Sequence, residues 1–240
     1  MNRYYYDLHI HSCLSPCGDE DSTPNNIAGY ATLCGLNIVA LCDHNTLKNC
    51  PAFFAAAKRY GIIPVAGVEL TTSEDIHIIL LFEDLSRAME FDVYLDSRRI
   101  KIKNKPDIFG NQHILDENDE IIGEEEFLLI NATDIAAYEV PEIAKKFDAV
   151  CYPAHIDRDA NGIISILGDF PREDFSCFEL HDAAKAEEYI KRFHLEDKKM
   201  VVSSDAHNLS DIRDKENWFE LDDEPYSSAL VRKKLFEVLR

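Results

Sequence analysis

Histidine and carboxylate side chains recur along this chain at the ends of short apolar runs. The first group is Asp7-Leu8-His9-Ile10-His11, in which two histidines are separated by one residue. In an extended segment such a pair projects from one side, because side chains alternate with a period of two. The spacing suits two ligands of one divalent ion, although a single His-x-His pair arises often by chance.

The pair becomes informative because the same residue types return in later groups. Most of these groups close an apolar run, which is where a barrel places its functional residues. Six of the nine histidines fall in the whole series. The later groups are Cys42-Asp43-His44-Asn45, Gly67-Val68-Glu69, Asp75-Ile76-His77, Pro153-Ala154-His155 and Ser204-Asp205-Ala206-His207.

The residue types indicate the chemistry. Imidazole and carboxylate ligands without a thiolate suit Zn, Mn or Fe. The candidates outnumber the ligands of one ion, so we expect two or three divalent ions. Adjacent ions need a bridging carboxylate to offset their repulsion, and Glu69 at a strand end is the natural candidate. Paired ions polarise a phosphoryl oxygen and lower the pKa of a water between them. The pattern therefore predicts hydrolysis of a phosphate ester.

Composition and charge limit the partners that we expect. The chain has 240 residues, 46% of them hydrophobic, and a formal net charge of −20. Such a charge argues against binding a phosphate backbone by bulk electrostatics. We therefore expect a small phosphorylated substrate and no stable complex with long nucleic acid. The oligomeric state cannot be read from the sequence.

The seven cysteines, an odd number, are interpreted as small buried thiols in a reducing compartment. No apolar run approaches the length of a membrane span, and no signal sequence is present. These features predict a cytoplasmic protein that does not contact a membrane.

Apolar runs and helix signals alternate along most of the chain, which predicts an α/β fold with a parallel sheet. The alternation breaks between about 84 and 134, where a helix near 84–100 precedes a hairpin near 108–129. We therefore predict one domain over 1–240 with an inserted subdomain at about 84–134. Seven strands are expected near 3–8, 37–41, 62–70, 76–82, 149–153, 176–180 and 199–204.

The ordered groups resemble the polymerase-and-histidinol-phosphatase (PHP) family of metal-dependent phosphoesterases. The resemblance covers the first 82 residues and the segment from about 148 to 210. It implies a distorted (β/α)7 TIM-like barrel with a trinuclear site at the C-terminal ends of the strands. It also implies three ligand sets: His9, His11, Glu69 and Asp205 for one ion; Glu69, His77 and His155 for the second; His44 and His207 for the third.

The third ion needs a further ligand from the loop after His11, and here the chain departs from the family pattern. Members often have Ser-Asp-Gly soon after the His-x-His pair, whereas this loop is Ser15-Pro-Cys-Gly-Asp-Glu-Asp21. We favour Asp19, because its distance from Thr23-Pro24 matches the usual distance to the helix start. Asp21 and Cys17 remain alternatives, and without such a ligand the site holds two ions.

Two further residues are assigned to catalysis. Arg158, three residues after His155, is placed to clamp phosphate oxygens with its guanidinium, and Lys48 is the second candidate. Asp43, next to His44, is interpreted as an acceptor for an imidazole N–H that orients a ligand, or as a helix cap.

The leading hypothesis is a hydrolase that cleaves a small phosphate monoester, such as a nucleotide or sugar phosphate, with water activated between two ions. One alternative is an exonuclease acting on short oligonucleotides. The other is a metal-binding regulatory module without catalytic turnover.

Overall fold

Ten strands and eight helices alternate in the computed structural model, which describes all 240 residues. The strands are β1 (Asn2–Ile10), β2 (Ile38–Leu41), β3 (Ile63–Thr71), β4 (His77–Phe82), β5 (His113–Leu115), β6 (Ile121–Glu124), β7 (Val150–Pro153), β8 (Cys177–Leu180), β9 (Lys199–Val202) and β10 (Trp218–Leu221). The helices are α1 (Pro24–Leu33), α2 (Cys50–Tyr60), α3 (Leu85–Arg98), α4 (Pro106–Phe109), α5 (Val140–Lys146), α6 (Ile163–Leu167), α7 (Ala186–Phe193) and α8 (Ser228–Leu239).

Seven of these strands, all except β5, β6 and β10, curve around an apolar centre. Six strands form a sheet in the order β10-β1-β2-β3-β4-β7, and β8 pairs with β9. A parallel bridge between Ile10 and Ala206 links the end of β1 to the loop after β9. The expected fold class, a distorted (β/α)7 TIM-like barrel, is confirmed.

The sheet is not wholly parallel, contrary to the sequence prediction. β4 runs antiparallel to both β3 and β7. Only residues 72–76 separate β3 from β4, which is too short for the crossover that parallel strands require. The sequence prediction also missed β10, a four-residue strand that pairs antiparallel with the start of β1.

Two hydrophobic clusters line the two faces of the barrel sheet. The outer cluster packs helices against the strands and includes Val68 and Phe53. The inner cluster fills the barrel and includes Leu8 and Tyr152, and residues of α8 such as Phe236 pack against it. The inner positions of β3 thus recur with the period of two that a strand imposes.

A β-bulge in β1 changes which residues of that strand face inward. The pairing of β1 with β2 shifts between Asp7 and Ile10. Leu8 belongs to the inner cluster, whereas Ile10 belongs to the outer one. The extra residue therefore lets His9 follow Leu8 on the inner side and keeps His11 there too, which is a recognised use of bulges beside functional sites.

Residues 84–134 begin with α3, whose Phe91 and Leu95 belong to the outer cluster. The segment then continues through α4 and the β5–β6 hairpin, which forms a separate two-stranded sheet. The division of the chain into a barrel with an inserted subdomain at 84–134 stays a prediction. None of the eight helices has the length and apolar character needed to cross a membrane.

Gly67 on β3 provides a test of packing beneath the polar edge of the barrel. A Cβ atom there would overlap Cys42 Sγ and lie 2.9 Å from Leu81 Cδ2. We expect Gly67→Ala to lower the free energy of unfolding by about 1–3 kcal/mol, as other overpacked cores do. Differential scanning calorimetry should show a Tm decrease of about 2–4 °C for each kcal/mol.

Gly29→Ala in α1 is the matched control, because the new Cβ would lie 3.4 Å from the ring of Tyr60, which is an ordinary contact distance. A helical alanine gains about 1 kcal/mol over glycine, so this variant should retain or exceed the parent Tm. Equal Tm values for the parent and Gly67→Ala would contradict the tight packing at this position.

Candidate metal centre

One edge of the barrel carries eight of the nine predicted ligands, all except Asp19, and we call it the ligand edge. His11, His44, His155 and Asp205 follow the C-terminal ends of β1, β2, β7 and β9. His77 begins β4, and because β4 is antiparallel its first residue pairs with Thr71 at the end of β3. The reversed strand therefore delivers its ligand to the same edge as its neighbours.

Three groups of side chains there have donor atoms that all lie within 4.8 Å of one another. The structure brings together eight of the nine sequence-predicted ligands along the ligand edge. Seven of them belong to the groups, and the eighth, His155, contacts Glu69 but belongs to no group. The groups are His9-His11-Glu69-Asp205 (the first group), His44-Glu69-His77 (the second group) and His11-His44-His207 (the third group).

The first group converges on a common point. His9 Nε2 and His11 Nε2 are 3.1 Å apart. Asp205 Oδ1 lies 3.3 Å from His9 Nε2 and 3.2 Å from His11 Nε2. Ligands about 2.1 Å from a shared ion are separated by about 3.0–3.4 Å, so these donor atoms are spaced as metal ligands are.

Glu69 lies at the centre of the ligand edge and is 1% exposed. Its Oε1 atom lies 2.8 Å from His77 Nδ1 and 3.1 Å from His155 Nε2. Its Oε2 atom lies 3.2 Å from His11 Nε2 and 3.1 Å from His44 Nδ1. Each carboxylate oxygen therefore serves a different set of imidazoles, which is the placement that a bridging carboxylate needs.

Hydrogen bonds to the opposite ring nitrogens orient two of the imidazoles. His9 Nδ1 lies 2.9 Å from Glu179 Oε1, and His207 Nδ1 lies 2.9 Å from the Asp205 carbonyl oxygen. Because these oxygens accept hydrogen bonds, Nδ1 carries the proton in the neutral ring, which leaves the lone pair of Nε2 for a metal ion. Such partners fix the tautomer of a metal-binding histidine. Glu179 lies near the end of β8, and this strand-end position is the only sign of its role that the sequence carries.

Asp43 acts through serines rather than directly on an imidazole. Its carboxylate accepts hydrogen bonds from Ser12 N–H at 2.8 Å and from the hydroxyls of Ser12 and Ser15 at 2.7 Å. Ser15 Oγ in turn lies 3.1 Å from His11 Nδ1. Asp43 therefore positions His11 through Ser15, and the sequence contained no signal for this relay beyond Ser12 and Ser15 being nearby.

The third group contains no carboxylate. Asp19 lies outside all three groups, because its carboxylate is exposed and accepts the Asp21 N–H at 2.8 Å. Cys17, one of the alternatives, lines the cleft beside His44 and His207. The loop is tightly wound, since a Cβ at Gly18 would overlap the Ser12 carbonyl oxygen.

The donor set fits divalent ions. His44 Nδ1, His77 Nδ1 and Asp205 Oδ1 are buried and make no hydrogen bond of good geometry, although each lies within 2.8–3.3 Å of another ligand atom. Buried polar atoms without partners are costly, so a group of them aimed at one region indicates a ligand that satisfies them. Imidazole and carboxylate donors suit Zn, Mn or Fe, as expected from the sequence.

The pKa values of the imidazoles diverge. Burial lowers the pKa of His9 and His11, but nearby carboxylates outweigh burial, so the pKa of His9 lies well above its usual range and that of His11 rises to about 9. Burial holds the pKa of His44 well below its usual range and lowers that of His207 to about 4. Without ions, His9 and His11 therefore carry protons that compete with metal.

The backbone is strained at the same edge. Asn45, His155 and Asp205 have φ values of 51°, 27° and 52°. Non-glycine residues rarely adopt positive φ, and such residues cluster at functional sites because the surrounding structure must hold them there. Two of these residues are part of the site: the His155 side chain contacts Glu69, and the Asp205 side chain belongs to the first group.

A cleft of about 340 Å³ opens onto the ligand edge and is lined by Glu69, His77, His207 and Arg158, among others. Arg158 forms an ion pair with Asp205 and is 38% exposed. Lys48, the second candidate cation, instead pairs with Glu125 and does not line the cleft. Arg158 is therefore the sequence-predicted cation that the structure places beside the ligands.

Removal of the central carboxylate charge should release the ions. We expect Glu69→Gln to weaken Mn²⁺ binding at least about a hundredfold, because even outer residues of metal sites contribute about 10–100-fold to affinity. Metal content after gel filtration and calorimetric titration with Mn²⁺ would measure the loss. The control is Glu196→Gln, the same charge change at an exposed residue. Unchanged metal content in Glu69→Gln would contradict the central role of this carboxylate.

Metal binding should release protons. At pH 7 His11, with a pKa of about 9, and His9, with a higher than usual pKa, are protonated in the metal-free protein. Ions displace these protons, so affinity should rise as the pH increases from about 6 to 9. Calorimetry at pH 7 in two buffers of different ionisation enthalpy should show net release of more than one proton. Absence of release would contradict protonation of this pair.

The comparisons with known proteins agree with this geometry. The PHP domain family model matches residues 7–122. A 5′-3′ exoribonuclease of Haemophilus influenzae is 39% identical over 77 residues, which cover 31% of this chain and 27% of that protein. The chain thus spans about a quarter of the length of this relative.

Solved structures share the fold. The lesion-specific endonuclease Q of Pyrococcus furiosus superposes with a TM-score of 0.66 at 19% identity, over 99% of this chain and 56% of that one. Endonuclease Q in complex with a 27-mer duplex bearing an abasic lesion at its active site gives a TM-score of 0.63 at 21% identity, over 100% and 57% of the chains.

These neighbours contradict the prediction of a small phosphorylated substrate and no long nucleic acid, because the same fold holds a DNA duplex in one of them. The expectation was wrong because net charge describes the whole surface, whereas a cleft is governed by its own lining. The resemblance to metal-dependent phosphoesterases of the PHP family is confirmed. Residues 7–122 match the PHP domain family model.

Proposed function

We propose that this chain is a metal-dependent hydrolase that cleaves phosphodiester bonds of nucleic acid at the ligand edge. The observation that carries the proposal is the meeting of the buried, partnerless ligand atoms with the half-exposed Arg158 in one cleft. A phosphodiester needs both a metal centre and a cation for its free oxygens. The nuclease activities of the exoribonuclease relative and of endonuclease Q support this substrate class.

The ligand groups suggest how ions would be held. His9, His11, Glu69 and Asp205 would bind one ion, and Glu69 with His77, His44 and His155 would bind a second. The third group would complete a third position with a residue of the 15–21 loop, for which Asp19, Asp21 and Cys17 remain candidates. Divalent ions at these positions would lower the pKa of water and polarise a phosphoryl oxygen.

Arg158 would bind the phosphate and stabilise charge that develops on it. One guanidinium nitrogen pairs with Asp205, so the side chain is anchored beside the first group. Its other terminal nitrogen lies 3.1 Å from a ring nitrogen of His181. A guanidinium fixed in advance beside the reacting phosphate lowers the barrier without reorganising during the reaction.

Asp43 would contribute as a positioning residue. It holds Ser15, which holds His11 with its Nε2 atom aimed at the first group. Asp43, Ser15 and His11 are all buried, so these residues exclude water from the rear of the site. Loss of the relay would loosen a ligand rather than remove a reacting group.

The cleft volume of about 340 Å³ lies near the lower end of ligand pockets, which range over about 300–1,000 Å³. A cleft of this size admits one unit of a polymer, with the rest of the strand outside it. Recognition of a longer strand therefore depends on groups beyond the cleft.

Hydrolysis should be measured with Mn²⁺-loaded protein on end-labelled single-stranded DNA, single-stranded RNA and duplex DNA containing an abasic site. We expect cleavage of at least one of these substrates. Arg158→Ala should lower kcat by about 10²–10³-fold, the usual effect of removing one group that stabilises transition-state charge. Glu69→Gln should abolish cleavage together with metal binding.

Arg172→Ala is the control, because Arg172 is exposed and pairs only with Asp197 on the surface. No cleavage of any substrate by protein that holds stoichiometric metal would overturn the proposal and favour a metal-binding regulatory role. Cleavage that Arg158→Ala leaves unchanged would overturn the assignment of this arginine.

A further inference from the structure

A second cluster of cationic side chains lies beside the ligand cleft. Arg158, His181 and Arg213 line a cavity of about 410 Å³ that also borders Asp205 and His207 of the metal centre. The cavity and the ligand cleft share Arg158, Asp205 and His207. Any molecule that extends out of the ligand cleft on this side therefore reaches the cluster.

Two guanidinium groups meet at one imidazole in this cluster. The Arg158 Nη2 atom lies 3.1 and 3.3 Å from the two ring nitrogens of His181. The Arg213 Nη2 atom lies 3.4 Å from each of the same nitrogens. Two like charges held this close repel each other, and an anion between them would turn the repulsion into attraction.

No acidic side chain neutralises Arg213. Arg213 forms no ion pair, and Asp211, the acidic residue of the cavity that is not part of the metal centre, accepts hydrogen bonds from Asn208. Burial, Arg158 and Arg213 lower the pKa of His181, so this imidazole stays neutral between the two cations. In a chain of net charge −20, Arg213 thus leaves a local positive charge beside the metal centre.

The loop that carries His181 is held firmly in place. Asp157 accepts the backbone N–H of His181 at 2.8 Å and that of Asp182 at 3.0 Å. Asp157 is itself buried, and Lys185 Nζ donates to its carbonyl oxygen at 3.0 Å. The cluster is therefore a formed site rather than a chance approach of mobile side chains.

We infer that Arg158, His181 and Arg213 form an anion subsite that binds the non-scissile phosphate next to the bond being cleaved. This inference rests on the proposed nuclease function. It identifies the residues that would let the protein distinguish a nucleic-acid strand from a small phosphate ester. Guanidinium groups match phosphate geometry and bind it with charge-assisted hydrogen bonds. The shared Arg158 would contact both phosphates, and Arg213 would contact the outer one alone.

The test compares two substrates of the Mn²⁺-loaded protein. Bis(p-nitrophenyl) phosphate contains one phosphate, and a labelled single-stranded 12-mer contains many. Arg213→Ala should lower kcat/KM for the 12-mer about 10–100-fold more than for the small diester, which corresponds to loss of one hydrogen-bonded charge pair. Arg213→Lys should recover part of that difference. Arg192→Ala is the control, because it removes the same charge from an exposed arginine of α7.

Salt dependence gives a second readout that a purely structural defect would not change in the same way. Anisotropy titrations of the 12-mer should give a slope of log affinity against log salt that is about 0.7 smaller in magnitude for Arg213→Ala, as expected for one lost phosphate contact on a single strand. Equal losses on both substrates, or an unchanged slope, would overturn the subsite.

The two hypotheses fail in different ways. If the parent protein cleaves neither substrate but binds the 12-mer, the proposed hydrolysis fails, and the anisotropy slopes alone decide whether the subsite exists. If the parent protein cleaves the 12-mer and Arg213→Ala cleaves it equally well, the subsite fails and the nuclease function stands. Absence of both cleavage and binding by the parent protein overturns both.

Discussion

The burial of the Glu69 carboxylate is the constraint on which the rest of the structure depends. Glu69 lies on β3, inside the six-stranded sheet, and its side chain is removed from water. A buried charge without partners costs several kcal/mol, so the surrounding elements must supply positive or metal-binding groups. Five imidazoles approach its oxygens within 2.8–3.4 Å, from β1, from β4 and from the loops after β2 and β7: His9, His11, His44, His77 and His155.

The positions of the ligands could be predicted from the sequence because each one follows or begins a short apolar run. Runs such as Ile38–Leu41 have the length of a barrel strand, and strand ends in a barrel meet at one edge. The direction of β4 was mispredicted because alternation of runs does not reveal whether a crossover helix fits between them. The short 72–76 connection carries that information, because it leaves no room for a crossover helix.

Other features had no signal in the sequence. The bulge in β1, which turns His9 and His11 inward, involves no glycine or proline in the strand. The approach of Arg213 to His181 depends on how the loops after β8 and β9 pack, and residues 32 positions apart show no periodic relation. Net charge was also a poor guide to the partner, because a sum over the whole chain does not report the local positive charge of the arginines in one cleft.

The bridge between Ile10 and Ala206 joins the end of the first strand to the loop that carries Asp205, so the site combines residues from both ends of the chain. Glu69 and His77 meet through a local hairpin with a small loop-closure entropy, whereas Asp205 must be brought to His9 and His11 across most of the polypeptide. Contacts of such high sequence separation form late. The N-terminal half carries most of the ligands, including the whole second group, but the first group lacks Asp205 and the third lacks His207 until the two ends of the chain meet. Metal affinity at those two groups is therefore coupled to closure of the barrel.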